Sequence, residues 1–167
     1  MKRLAVLRHA KSDWPAGVAD RDRPLGRRGQ RDAPAAGRWI AEHVGVPDVV
    51  WCSPARRTRE TWELLAPQLG GSPTVEFDER IYEASVSDLI EVLRETAKGS
   101  SSVLLVGHNP GVQELVLALA GGQHNEVQML AETKFPTSGV ALLDVNGPWR
   151  ELASGSARLA DFAVPRG

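Results

Sequence analysis

Three short, mostly apolar segments that each end abruptly in polar residues constrain the fold of this chain most strongly. The segments are 4–7 before Arg8 and His9, 48–52 before Ser53 and Pro54, and 102–106 before Gly107 and His108. A short, continuous apolar run is typical of a strand that is buried on both faces. We therefore predict three buried strands, each of which delivers polar side chains to its carboxyl end.

Segments with helical periodicity separate these strands. The predicted helices cover residues 30–43, 55–69, 86–97 and 112–120, and further strands are expected at 75–77 and 140–145. Residues 149–152 and 159–162 are expected to form additional short strands or packing segments. Strands that alternate with helices predict an α/β fold, here a three-layer α/β/α sandwich around a mostly parallel central sheet. At 167 residues the chain is expected to form one domain over residues 1–167.

Local signals mark where some of these helices begin. Ser85 and Asp88 resemble a capping pair at the start of the third helix. Pro110 is placed at or near the first position of the fourth helix, where its missing N–H costs nothing. Pro34 is expected in the first turn of the helix over residues 30–43.

Composition excludes several classes of function. The net charge is −1, with acidic and basic residues interspersed, so no whole-protein field attracts nucleic acid or an anionic membrane. No apolar stretch approaches the length of a membrane span, and the apolar run near the N-terminus is too short for a secretory signal. We therefore expect a cytoplasmic protein without nucleic-acid or membrane partners. Any chemistry on anions must come from a local cluster of positive groups.

The predicted strand ends supply such a cluster. In a sheet of this kind ligands gather at the carboxyl ends of the strands, and three ends here carry Arg8 with His9, residues 53–57, and His108. Arginine binds phosphoryl oxygens through planar pairs of donors that keep their charge. Histidine is a nucleophile at neutral pH when one ring nitrogen is free and the other is held by a hydrogen bond. Together these residues predict an anion site around a nucleophile, suited to phosphoryl transfer.

The four histidines differ in their settings. Only His9 and His108 follow predicted strands directly; His43 is interpreted as a helix-surface residue and His124 as a loop residue. A metal site built from His9, His108 and carboxylates is an alternative. Arg8 argues against it, because its charge would repel a dication.

A cysteine-based phosphatase is a second alternative for the segment after residue 52. Those enzymes need five residues between the cysteine and the phosphate-binding arginine, and Thr58 occupies that arginine position here. Cys52 is therefore interpreted as a buried, inert strand residue. As the only cysteine it forms no intramolecular disulfide. No metal or other cofactor is expected.

Several motifs resemble those of the histidine phosphatase, or phosphoglycerate mutase-like, superfamily. Residues 7–10 resemble its arginine–histidine signature, 53–61 its second motif, 106–110 its third motif, and 22–25 with Gly29 its loop after the first strand. In the second motif an arginine stands four residues after the serine, which selects Arg57 over Arg56. The motifs cover most of the chain in the expected order, so the resemblance implies a phosphoglycerate mutase-like fold.

The resemblance also implies roles for individual residues. His9 would attack phosphorus and become a phosphohistidine intermediate. The groups that would hold the phosphoryl oxygens are Arg8, Arg57, His108 and Asn109. Family members commonly place a glutamate after the third strand as general acid, and residues 78–83 fit that pattern.

This pattern nominates Glu83 rather than Glu79 as the acid, and a solvated loop carboxylate is the alternative for both. Ala10 replaces the usual glycine, and no long insertion between Arg57 and Glu83 builds a lid over the site. The small size and the opening of residues 8–12 resemble the compact SixA-type subgroup, which is associated with phosphohistidine phosphatase activity.

The expected function is thus that of a metal-independent phosphatase that works through a phosphohistidine on His9 and dephosphorylates phosphohistidine on proteins. A broad small-molecule phosphomonoesterase or a mutase of the same superfamily is the alternative. A phosphate-binding module without catalysis is a third. The expected partner is a phosphorylated protein or a small phosphate ester.

Overall fold

Six strands form one sheet in the computed structural model, which describes residues 1–122 and 125–167. They are β1 (Lys2–Arg8), β2 (Val49–Cys52), β3 (Thr74–Phe77), β4 (Ser102–Gly107), β5 (Val140–Val145) and β6 (Ala157–Ala163). Their order across the sheet is β3-β2-β4-β1-β5-β6. The first four in that order are parallel, and β5 and β6 join as antiparallel neighbours. The predicted α/β fold with a mostly parallel sheet is confirmed.

Two layers of helix cover the sheet. The helices are α1 (Arg27–His43), α2 (Arg56–Leu65), α3 (Val86–Arg94), α4 (Gly111–Ala120) and α5 (Glu126–Thr133). Alternate side chains of each strand point to opposite faces, so Ala5 and Leu7 pack with α1 and α2, whereas Leu4 and Val6 pack with α3, α4 and α5. The central strands are apolar on both faces because both faces are covered.

The capping signals place the helix starts in different ways. The Ser85 side chain accepts from the Asp88 N–H, and the Asp88 carboxylate accepts from the Ser85 N–H, so the predicted capping pair forms at the start of α3. Pro110 is the residue directly before α4, as expected. Pro34, however, lies inside α1 and not in its first turn, because this helix begins at Arg27.

The remaining differences fall at the edges of elements and in the C-terminal third. The predicted helix over 55–69 is wrong in its length: α2 ends at Leu65 and a 3₁₀ turn, Ala66–Gln68, follows. Pro67 lacks the N–H that would continue the α-helical pattern. Residues 149–152 begin with a 3₁₀ turn, and residues 159–162 lie within β6. Helix α5 is absent from the sequence prediction.

The first turn of α1 packs closely against the backbone of the loop that follows β1. A Cβ atom at Gly29 would lie 2.1 Å from the carbonyl oxygen of Lys11, far inside van der Waals contact. The Gly26 N–H donates to this same carbonyl oxygen. Glycine at position 29 therefore lets the helix support the backbone two residues beyond His9.

Gly29→Ala is expected to destabilise the protein and to lower its activity. Alanine improves helix propensity by about 1 kcal/mol, but overpacking against backbone costs about 1–3 kcal/mol, so we expect a net loss of about 1–2 kcal/mol. Urea unfolding measures the loss. Gly99→Ala is the matched control, because its new Cβ meets no atom within 4 Å. Equal stability of the two variants would contradict the proposed contact.

Candidate active site

The carboxyl ends of β1, β2 and β4 meet at one edge of the sheet. Arg8 pairs with Gly107 in the β1–β4 register, so His9 and His108 each follow the end of one of two neighbouring strands. Their ring centroids lie 5.4 Å apart. Arg57, in the first turn of α2, lines the same cleft as both histidines. The structure thus brings together the three residues that are far apart along the chain.

His9 is held in one tautomer by the backbone. The ring is 5% exposed, and its Nδ1 lies 2.7 Å from the carbonyl oxygen of Ala10. A carbonyl only accepts, so Nδ1 carries the proton and Nε2 of the neutral ring has a free electron pair. Burial lowers the pKa of His9 well below its ordinary value, and the charges of nearby groups such as Arg57 and Arg8 lower it further. The ring is therefore neutral at physiological pH.

One backbone carbonyl positions two of the predicted phosphate ligands. The Phe135 carbonyl oxygen accepts from Nη1 of Arg8 at 3.0 Å and from Nδ2 of Asn109 at 3.0 Å. Phe135 follows α5, and its side chain is buried against Phe162. Burial, and then the charge of Arg57, lower the pKa of Arg8 from its ordinary value. Because that value is so high, the guanidinium keeps its charge.

Arg57 is engaged by Asp20, a residue that the sequence prediction missed. The guanidinium donates through Nη1 to the Asp20 carbonyl at 2.7 Å and through Nη2 to its carboxylate at 3.2 Å. The carboxylate also accepts from Tyr82 and from Arg23. The hydrogen bond from Tyr82 is the largest cause that lowers the pKa of Asp20 to about 2. Asp20 is thus an anion that already lies against the arginine at the site.

His108 is oriented by Ser53. Its Nε2 lies 2.7 Å from Ser53 Oγ, which accepts from the Ala55 N–H at 3.3 Å. A serine hydroxyl accepts two hydrogen bonds and donates one, so Ser53 holds the His108 ring in place in either tautomer. Burial, followed by the charge of Arg57, lowers the pKa of His108 to about 3. His108 is thus a neutral imidazole beside His9, held at Nε2 by Ser53.

Several buried polar atoms at this edge have no hydrogen-bond partner among the described residues. They are Nε of Arg8, Nε of Arg57, Nδ1 of His108 and Oδ1 of Asn109. Leaving a buried polar group unpaired costs about 1–3 kcal/mol, so unpaired groups concentrated in one cleft point to a ligand. The two arginine Nε atoms are donors on charged groups, which indicates an acceptor-rich ligand such as a phosphoryl group.

Glu83 lines a cavity next to the one that Lys11 lines. It is exposed, adopts a left-handed backbone conformation with φ of 54°, and lines a cavity together with Arg57, His108 and Asp20. This cavity, about 440 Å³ in volume, adjoins one of about 280 Å³ lined by Arg8 and His9, and both include Arg57, His108 and Asn109. Glu79 is bound instead to Arg21.

Sequence reasoning missed the roles of Ser53, Asp20 and Tyr82, and only Ser53 lies in a motif that could have indicated one. Ser53 lies inside a recognisable motif, but nothing in the motif says that its hydroxyl contacts an imidazole. Asp20 begins a short 3₁₀ turn, Asp20–Asp22, in the long connection after β1, and Tyr82 follows another, Glu79–Ile81. Loops carry no periodicity, so only the coordinates show that Tyr82 stacks edge-on against His108, with ring centroids 5.5 Å apart.

The described residues give little support to a cysteine nucleophile or to a metal site. Cys52 is fully buried, and burial raises the pKa of its thiol, so it is no thiolate nucleophile. Among the described residues no group of three or more His, Cys, Asp or Glu side chains is placed to hold a metal ion. His43 stacks on Trp39 within α1, and His124 lies outside the described residues. No helix in the described part of the chain is long and apolar enough to cross a membrane.

The model of the histidine phosphatase superfamily (branch 1) matches residues 4–100. The chain belongs to this superfamily. An uncharacterized protein of Mycobacterium tuberculosis is 40% identical over 162 residues, which are 96% of this chain and 100% of the relative. A phosphohistidine phosphatase SixA homolog of Haemophilus influenzae is 30% identical over 133 residues, 71% of this chain and 77% of that protein.

Solved structures agree with the sequence relatives. A structure assigned as phosphohistidine phosphatase SixA from Nakamurella multipartitia is 29% identical and superposes with a TM-score of 0.89, covering 98% of this chain and 96% of its own. A second, from Agrobacterium tumefaciens, is 30% identical with a TM-score of 0.82 and covers 98% of both chains. The prediction that this chain is a SixA-type member of the histidine phosphatase superfamily is confirmed. The comparisons also support the coarser prediction that it is a phosphatase.

Both site histidines are expected to stay uncharged in the free protein as the pH falls from 8 to 5. Their lowered pKa values mean that the folded protein takes up no proton on either ring in this range. Histidine Cε1–H resonances in NMR spectra, assigned with His9→Gln and His108→Gln, measure the charge directly. A titration midpoint near 6.5 for either ring would contradict this prediction.

The same shifts affect stability with a defined sign. Below about pH 6.5 the unfolded chain protonates these histidines while the folded chain does not, so the free energy of unfolding falls with falling pH. The slope is at most about 1.4 kcal/mol per pH unit for each histidine. The contribution of His9 is the part of the slope that disappears in His9→Gln, measured by urea unfolding at several pH values.

Proposed function

We propose that this protein is a metal-independent phosphohistidine phosphatase that uses His9 as its nucleophile. The observation that carries the proposal is the state of the His9 ring: it is neutral, its Nδ1 proton is held by the Ala10 carbonyl, and its Nε2 is free beside two arginines. A nucleophile of this kind attacks phosphorus without first losing a proton. The SixA-type relatives support the choice of substrate.

The proposed reaction has two steps. Nε2 of His9 forms a bond to phosphorus while the bond from phosphorus to the substrate's imidazole nitrogen breaks. The other nitrogen of the substrate ring carries a proton, so the ring takes the electron pair and leaves as neutral imidazole. Water then attacks the phosphohistidine on residue 9, releasing inorganic phosphate and restoring the neutral ring. The in-line transfer leaves the protein to position groups and stabilise charge.

The cage of donors supports the transition state in this scheme. Arg8, Arg57, His108 and Asn109 supply groups around the three phosphoryl oxygens, and the unpartnered Nε and Nδ1 atoms are available for them. When Ser53 Oγ donates to its Nε2, neutral His108 donates from Nδ1 to a phosphoryl oxygen. Preorganised donors of this kind are commonly the largest single contribution to such catalysis.

The leaving group decides whether an acid is needed. Imidazole leaves phosphorus readily, whereas an alkyl oxygen must be protonated as it leaves. Glu83 lines the cavity beside Arg57 and His108 and is the residue proposed to supply that proton. This placement favours a second candidate function, a wider activity on small phosphate monoesters through the same His9 intermediate.

His9→Ala is expected to lower turnover of phosphohistidine by at least about 10³-fold, because the covalent intermediate is lost. Wild-type protein mixed with labelled substrate and quenched rapidly should carry phosphate that is labile in acid and stable in base, as a phosphohistidine is. The labelling should persist with chelator present. His43→Ala is the control, since that ring lies within α1 and away from the cleft. Full activity of His9→Ala would overturn the mechanism.

Glu83→Gln is expected to slow hydrolysis of an alkyl phosphate about 10²-fold more than hydrolysis of phosphohistidine, since only the alkoxide needs a proton. Parallel kcat measurements on glycerol phosphate and phosphohistidine give the comparison. Glu79→Gln is the matched control, because Glu79 is exposed and bound to Arg21 on a neighbouring turn. Equal slowing on both substrates would show that Glu83 is not the acid.

A further inference from the structure

Trp14 is an exposed tryptophan in a protein that otherwise buries this residue. Its relative exposure is 74%, whereas Trp51, Trp62 and Trp149 are at or below 8%, and Trp39 is half-buried against His43. A large apolar side chain left in water gives up the favourable free energy of burial. An exposed tryptophan at a functional site therefore calls for a binding role.

The exposed ring is held in place. The Arg23 guanidinium carbon lies 3.3 Å from the centroid of the Trp14 ring, in cation–π contact. Arg23 itself is 6% exposed and donates to the Asp13 carbonyl at 3.1 Å, to the Asp20 carboxylate at 3.0 Å and to Ser12 Oγ. With each of its nitrogens engaged, this arginine is a fixed support for the ring.

The ring also lines the cleft of the nucleophile. Trp14 and Lys11 border the same cavity as His9 and Arg57. The proposed phosphoryl site lies among the buried donors of this cavity, and the solvent-exposed ring lies at its rim. The part of a substrate that extends from a bound phosphoryl group through this cavity therefore contacts Trp14.

We infer that Trp14, supported by Arg23, is a specificity-determining contact for the polypeptide that carries the phosphorylated side chain. The inference rests on the proposed function. The occupant is the stretch of protein substrate next to its phosphohistidine, whose aliphatic or backbone atoms pack on the ring. Lys11, exposed beside the ring, favours a segment with acidic residues.

Three observations favour a polypeptide over a small phosphate ester. A small ester is held by the arginines and His108 inside the cleft and leaves most of the rim ring uncovered. A preorganised, exposed tryptophan loses little conformational entropy on binding, and tryptophan is enriched among the residues that dominate protein–protein binding energy. The support of the ring by a buried arginine makes it a fixed surface, which suits a partner that docks in one orientation.

Two substrates with the same scissile bond test this contact. One is a folded protein that carries a single phosphohistidine made with potassium phosphoramidate, and the other is free N-phosphohistidine. For Trp14→Ala we expect the ratio of kcat/KM for the protein to kcat/KM for the free amino acid to fall about tenfold, mainly through KM for the protein. Trp14→Phe should restore most of the ratio, because it keeps an aromatic face.

The controls separate this inference from the proposed function. Val46→Ala also trims an exposed apolar side chain, in the loop that precedes β2, and should leave the ratio unchanged. Wild-type protein inactive on both substrates would refute the proposed function itself. Wild-type activity on both, with a Trp14→Ala ratio that is unchanged, would refute only the role of Trp14, and an equal loss on both substrates would assign the ring to the imidazole instead of the polypeptide.

Discussion

The parallel pairing of β1 with β4, with β2 on the far side of β4, determines where every group of the site can lie. The register places Arg8 opposite Gly107, and Cys52 opposite Val106, so three chain segments turn out of the sheet at the ends of three adjacent strands. The N–H of Ser138 donates to the carbonyls of both Arg8 and His9, and this bond fixes the segment that leaves β1. A shift of this register by one residue would turn the histidines to opposite faces.

The carboxyl edge of the sheet holds neutral histidines next to charged arginines. Burial removes the positive charge from His9 and His108, and the neighbouring arginines keep that charge away. The result is a site whose fixed positive charge resides on guanidinium groups, while its imidazoles remain neutral. Neutral imidazoles and charged guanidinium groups thus coexist because arginine holds its proton far more tightly than histidine does.

The sequence was most informative where a pattern has one physical meaning. Buried strands leave unbroken apolar runs, so β1, β2 and β4 and the polar residues after them were predictable, and so was the capping pair at α3. Helix α5 escaped prediction, and the segment at 149–152 turned out to begin with a 3₁₀ turn. The contacts of Asp20 with Arg57 and of Ser53 with His108 depend on how loops fold over the sheet edge. Residues from separate loops leave no joint signal in one sequence.

The bond between Asp20 and Arg57 gives this guanidinium an anionic partner from its own chain. An incoming phosphoryl group that takes both outer nitrogens of this arginine must exchange places with a carboxylate, so its net affinity is a difference between two ion pairs. Weakly held anions gain little from such an exchange. Release of such an anion would return the arginine to the carbonyl and the carboxylate of Asp20.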